Sequence, residues 1–227
     1  MEQCTDLPDP KTIASQIDAE IRALPLVNVP NLRTIRRNYS RLLEKAAPEF
    51  LLEVARELFY NYGHRGTAYA LIKNHKQAFQ SLGEDEIEEF GRGIDSWGSV
   101  DSFARNLSGP AWLRGQVSDQ LIHKWAHSED HWWRRAALVS TVALNMRSQG
   151  GYGDIPRTLE VCRLLVDDHD DMVIKAMSWA LRELVVHDPG AVCGFLSKYE
   201  DALAARVKRE VRNKLTTGLK NPRRRQK

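Results

Sequence analysis

The stretch DMVIKAMSWALRELVVH, residues 171–187, decides the fold. Val173, Ile174, Met177, Leu181 and Leu184 recur three and four residues apart, the period of a helix that buries one stripe. Trp179, Arg182 and Lys175 lie off the centre of that stripe, so an aromatic ring and a cation share its flank. HSEDHWWRRAALVST, residues 127–141, repeats the arrangement. Its adjacent Trp132 and Trp133 point to different sides of a helix, one toward the core with Ala136 and Leu138 and one outward, and Arg134 and Arg135 diverge in the same way. IDSWGSVDSFA, residues 94–104, gives a third form, with Trp97 and Asp101 one turn apart beside an apolar face of Val100, Phe103, Ala104 and Leu107.

Outward from these segments helical periodicity dominates and strand-like alternation is almost absent. The pattern predicts helices over 10–23, 31–46, 48–62, 66–80, 84–93, 97–107, 115–127, 130–147, 155–167, 171–187, 189–198 and 202–217. Pro10, Pro30, Pro48, Pro156 and Pro189 fall near the predicted starts, where a missing amide hydrogen costs least. Trp97, Trp132 and Trp179 stand 35 and 47 positions apart, close to the period of about 40 to 47 expected for two-helix HEAT-like units. The expected fold is therefore all-α: a HEAT-like repeat solenoid of stacked helical pairs with a concave basic face. The expected organisation is a single domain over 1–227, with an ordered core over 10–217 and a basic tail over 218–227.

With 42% hydrophobic residues, the 227-residue chain has ample material for a continuous core. No run approaches the length of a membrane span, and MEQCTDLPDP lacks the basic and apolar regions of a secretory signal. The expected location is cytoplasmic or nucleoid-associated, or nuclear in a eukaryote, and not secreted. Cys4, Cys162 and Cys193 are too scattered for a structural zinc site and read as reduced thiols. The formal net charge of +3 is uninformative alone, but residues 204–227 hold ten basic residues against Glu210, a net of +9 that leaves −6 for the rest. Such a segment suits phosphates, a solvated tail, or, in Arg223 to Lys227, a nuclear signal.

Two cationic aromatic pairs and one carboxylate-bearing pair suit a polyanion that carries a reactive centre. Asp101, near a helix start with Asp95 or Ser96 as cap, is placed to stay ionised and to stabilise positive charge or orient water. Packed tryptophans with surface charges account for each pair separately. Other apparent motifs carry little. His123 and His127 have the spacing of a helical zinc pair but lack the glutamate of a metalloprotease motif. The run from Asp167 to Asp171 matches no calcium loop and reads as a helix connection capped by Asp170 or Asp171. Neither a metal nor a cofactor is expected.

Together SWGSVDSFA at Ser96, HWWRRAALVS at His131 and IKAMSWALRE at Ile174, in that order, resemble the DNA alkylation repair family of AlkD-like, HEAT-repeat DNA glycosylases. VPNLRTIRR at Val29 and GTAYALIKNHKQAF at Gly66 look like its N-terminal helical segments, so the likeness spans roughly residues 28–215. The resemblance implies an enzyme that excises positively charged N3- and N7-alkylated purines from double-stranded DNA by hydrolysing the N-glycosidic bond, with the base left largely stacked. By position it assigns Asp101, Trp97 and Trp179 to catalysis at the sugar, and Arg135 and Arg182 to the DNA phosphates. Trp132 is left to support its helix. The chain is expected to act as a monomer. A non-catalytic HEAT-like DNA-binding protein and a protein-interaction scaffold are the competing readings.

Overall fold

A computed structural model describes residues 7–222. Cys4 and the run Arg223 to Lys227 lie outside the described residues. Within them every regular element is a helix and no strand occurs. No helix there is long and apolar enough to cross a membrane. The chain divides into two compact units, with the break between Leu82 and Gly83.

The first unit holds α1 (Pro10–Arg22), α2 (Val29–Leu42), α3 (Pro48–Tyr60), α4 (Arg65–Asn74) and α5 (Lys76–Gln80). Helix α1 packs on α3 and α3 on α5, while α2 packs on α4, so consecutive helices alternate between two layers. The segment predicted as one helix over 66–80 breaks at His75. The buried His75 ring accepts the Ala78 amide hydrogen at Nδ1, 3.0 Å, and meets the Ala46 carbonyl through Nε2 at 3.1 Å. A side chain that caps the next helix and anchors to another loop stops the first one there.

The second unit runs α6 (Glu84–Gly91), α7 (Trp97–Phe103), α8 (Gly109–Leu113), α9 (Asp119–Ala126), α10 (His131–Asn145), α11 (Ile155–Leu164), α12 (Asp171–Leu184), α13 (Pro189–Lys198) and α14 (Ala205–Thr217). Helices α7, α10, α12 and α14 pack in succession, and α9 and α11 pack on each other behind α10 and α12. Helix α10 is the centre, buried at every position from Arg135 to Asn145.

The prolines stand where the sequence predicts, in the first turns of α1, α2, α3, α11 and α13. Helix α9 starts later than predicted, because Ser118 accepts the Leu121 amide hydrogen and fixes the start there. Between α7 and α8 the chain does not stop at 107 but makes a π-helical turn, Ala104–Ser108. Pro110 offers no N–H to the carbonyl four residues behind it and its ring crowds that position. The Gly109 amide bonds instead to Ala104, five residues back. Turns of this kind gather at functional sites.

Candidate active site

Ser96 caps α7 by accepting the Ser99 amide hydrogen at 3.3 Å. Trp97, the first residue of the helix, is 62% exposed, so an indole of this size stands in solvent with little packing to hold it. Asp101 follows one turn later on the same face, its side chain 19% exposed.

The carboxylate is held by Arg135 of α10. Arg135 Nε donates to Asp101 Oδ1 and Nη2 to Oδ2, both at 3.0 Å, the two-pronged geometry that suits guanidinium and carboxylate. Nη1 donates to the Met172 carbonyl in α12 at 2.5 Å. One buried arginine thus ties α7, α10 and α12 together. The structure places Arg135, expected at the phosphates, as the partner of Asp101. The reason is its position on the wholly buried length of α10, where a fork must find protein acceptors.

Burial pushes the Asp101 carboxyl up, and although Arg135 and Arg105 pull the other way, the net direction is above the ordinary carboxylate value. A bidentate cation in contact keeps the ionised form as the partner of choice.

Arg105, in the π turn, is the residue that ties Trp179 to this cluster. Its guanidinium carbon lies 5.7 Å from the centre of the Trp179 ring, within cation–π range. Trp179 is half-buried and donates from Nε1 to Glu183 Oε1 at 3.0 Å. The sequence reading missed Arg105, although its spacing of four from Asp101 was a usable signal.

Arg182 is half-buried one turn after Ser178, and its Nε donates to Ser178 Oγ at 3.3 Å. Ser178 in turn donates to the buried Glu210 of α14, Oγ to Oε2, at 2.6 Å. Burial lowers the Arg182 value against the pull of Glu210 and Glu183. Expected at the phosphates, Arg182 is thus braced by a relay from α14 that the spacing within α12 could not reveal.

The tandem residues of α10 separate as their spacing predicts. Trp133 packs edge-on to Phe103 at 6.0 Å between ring centres and against Trp125 at 4.9 Å. Trp132 faces away and lies 4.4 Å from the His131 ring. Arg134 braces the loops at the helix start, donating to Asp168 Oδ2 at 2.7 Å and to the Ser128 and Glu129 carbonyls. Asp170 caps α12 through the Met172 and Val173 amides. His127 Nδ1 sits 2.8 Å from the His123 carbonyl, an ordinary contact within one helix turn. Among the described residues, no group of three or more His, Cys, Asp or Glu side chains is placed to hold a metal ion.

The constellation is therefore an exposed indole, a restrained carboxylate, a half-buried indole beneath an arginine, and a second arginine on the same helix as that indole. It holds the Asp101 carboxylate between Arg135 and Arg105, with Trp179 against Arg105. A family model described as DNA alkylation repair enzyme matches residues 20–215. No curated protein matches the chain.

Proposed function

We propose that this chain, which belongs to the DNA alkylation repair enzyme family and so acts in the repair of alkylated DNA, is a DNA glycosylase for N3- and N7-alkylated purines in duplex DNA. The observation that carries the reading is the Asp101 carboxylate, fixed by the Arg135 fork one turn from the exposed Trp97. A purine alkylated at N3 or N7 already carries positive charge, so its departure needs little protonation and the barrier lies in charge building on the sugar. A preorganised carboxylate stabilises that charge without having to reorganise at the moment of reaction.

In the step itself the bond from C1′ to the base nitrogen breaks and its electron pair leaves with the base, cancelling the base's positive charge. Asp101 faces the oxocarbenium sugar that results and orients the water whose oxygen bonds to C1′. The water's proton passes to the carboxylate or to solvent, leaving an abasic site. The faces of Trp97 and Trp179 border the sugar and favour its cationic form. Arg182 and Arg105 supply positive charge for the flanking phosphates, which give affinity without reading sequence. The base remains stacked, since the constellation grips backbone and sugar. The chain works as a monomer.

Release of 7-methylguanine or 3-methyladenine from methylated duplex DNA tests the reading. The wild type is expected to release both, and Asp101→Asn to lose excision sharply with only modest loss of duplex binding. Duplex binding with no release would favour a non-catalytic binder.

A further inference from the structure

One row of arginines has no part in the site above. Helix α2 carries Arg33, Arg37 and Arg41, spaced one turn apart along one flank, with Arg36 next to Arg37. They line a groove of about 590 Å³ completed by Ser40 and Glu44 of the same stretch and by Ala70 and Asn74 of α4. Asn74 Nδ2 donates to Ser40 Oγ at 3.1 Å and so links the two helices. Arg36 is half-buried, donating from Nε to Thr67 Oγ1 at 3.3 Å.

The other arginine ion pairs on the molecule show what is unusual here. Arg22, Arg134, Arg157, Arg163 and Arg212 each meet a carboxylate within 3 Å. Arg33, Arg37 and Arg41 are exposed, and among the described residues none of the three guanidinium groups has a hydrogen-bond or ion-pair partner. Glu44 is the one carboxylate in the lining, and it forms no ion pair among the described residues. Like charges one turn apart on a helix destabilise it, so a row left unpaired is a cost that an external anion would relieve. Arg33 to Arg41 covers about 12 Å of helix, the rise of three to four nucleotides of one strand at about 3.4 Å each.

We infer that the α2 row is a second phosphodiester-binding site, which holds the backbone of duplex DNA through the Arg33, Arg37 and Arg41 forks, with Arg36 fixed behind them by Thr67. This rests on the reading of the chain as a DNA-acting enzyme, but it assigns a function to the first unit that the excision chemistry does not need. Such a site contributes affinity and salt dependence and no base recognition.

The test is the salt dependence of binding to a labelled, undamaged duplex, compared between the wild type and Arg33→Gln, Arg37→Gln, Arg41→Gln combined. Each phosphate contact contributes about 0.9 to the logarithmic salt slope. The triple variant is therefore expected to lose about 2 to 3 from the slope and at least tenfold in affinity at moderate salt. The corresponding triple lysine variant keeps its charges and most of the slope. Arg163→Gln, which removes an arginine already paired with Glu160, leaves the slope unchanged. An unchanged slope and affinity in the glutamine variant, with its helical circular dichroism and melting intact, overturns the inference. So does an equal loss in Arg163→Gln. Inorganic phosphate bound by the wild type and lost in the variant, with duplex affinity unaltered, reassigns the groove to a small anion and also overturns it. Because the probe holds no lesion, loss of slope stands even if the wild type releases no alkylated base.

Discussion

Removing Arg135 should harm stability more than catalysis, and altering Asp101 should do the reverse. In Arg135→Ala the Asp101 carboxylate, 19% exposed, loses both hydrogen bonds of the fork, and the Met172 carbonyl loses its donor. Breaking a buried ion pair from one side costs about 3–5 kcal/mol, a large share of the roughly 5–15 kcal/mol that holds a domain folded. In Asp101→Asn the amide oxygen can still accept from Arg135, so the loss is nearer the about 1–3 kcal/mol of one unsatisfied buried bond. For excision the order inverts. Asn cannot stabilise a cationic sugar, and a group aimed at developing charge is typically worth about 10²–10³ in rate. Arg135→Ala retains the carboxylate, yet with the fork gone burial is opposed only by Arg105, so the Asp101 value rises further above ordinary. On the proposed mechanism the ionised form is the working one, so excision is lost as pH falls through that value. The acid limb of the profile therefore moves to higher pH in Arg135→Ala. Urea unfolding of both variants and of the double variant, with single-turnover release of 7-methylguanine across pH, reads each effect and their coupling. Wild-type stability and an unmoved acid limb in Arg135→Ala would refute the assignment of Arg135 as the holder of Asp101.

Trp97→Ala removes a ring that is 62% exposed, so thermal unfolding should shift by no more than about 0.5 kcal/mol, whereas excision should fall at least tenfold; wild-type excision would remove the ring from the site. Glu210→Gln weakens the relay through Ser178 to Arg182, and is expected to reduce duplex affinity several-fold and stability by about 1–3 kcal/mol, both read by titration and unfolding. Gly109→Ala would put a methyl 2.7 Å from the Ser140 carbonyl oxygen and 2.8 Å from that of Ala104. Both are backbone atoms that cannot swing away, so a loss of about 1–3 kcal/mol is expected in calorimetry.

What the sequence made legible was whatever local spacing controls. Prolines and caps marked most helix starts, and the two tryptophans of α10 took the divergent directions that a helix imposes. The extension into α8 was hidden because Gly109-Pro110 reads as a stop, while the close approach of α8 to α10 uses the missing side chain of that same glycine. His75 was hidden because a ring that caps one helix and anchors another loop looks like any polar residue within a helical pattern. At the site, spacing identified Trp97 and Asp101 as neighbours, but the partner of Asp101 is 34 residues away. Periodicity gives the face a residue occupies and not what that face meets. For the same reason Arg182 was visible and the Glu210 that braces it was not.

In the proposed glycosylase, the fork on Asp101 also answers an electrostatic problem set by the substrate. A bare carboxylate amid phosphates would be repelled by the polyanion it must approach, and burial would favour its protonation. Arg135 cancels its charge at a distance, so the approaching backbone is met by the cations Arg105 and Arg182 rather than by a bare carboxylate. Close in, the cancellation is incomplete. Each carboxylate oxygen has about two acceptor directions, and the fork occupies one on each. The remaining directions stay available to a cation or a water at contact distance, where Coulomb energy rises steeply. The same geometry fixes the rotamer of Asp101 from a buried helix, so no part of the binding energy goes into aligning it. A substrate whose base is neutral gains little from this arrangement, because the carboxylate rewards only charge that has moved onto the sugar. On the proposed mechanism, selectivity for cationic lesions follows from the ease with which the bond breaks, and needs no pocket shaped to the base.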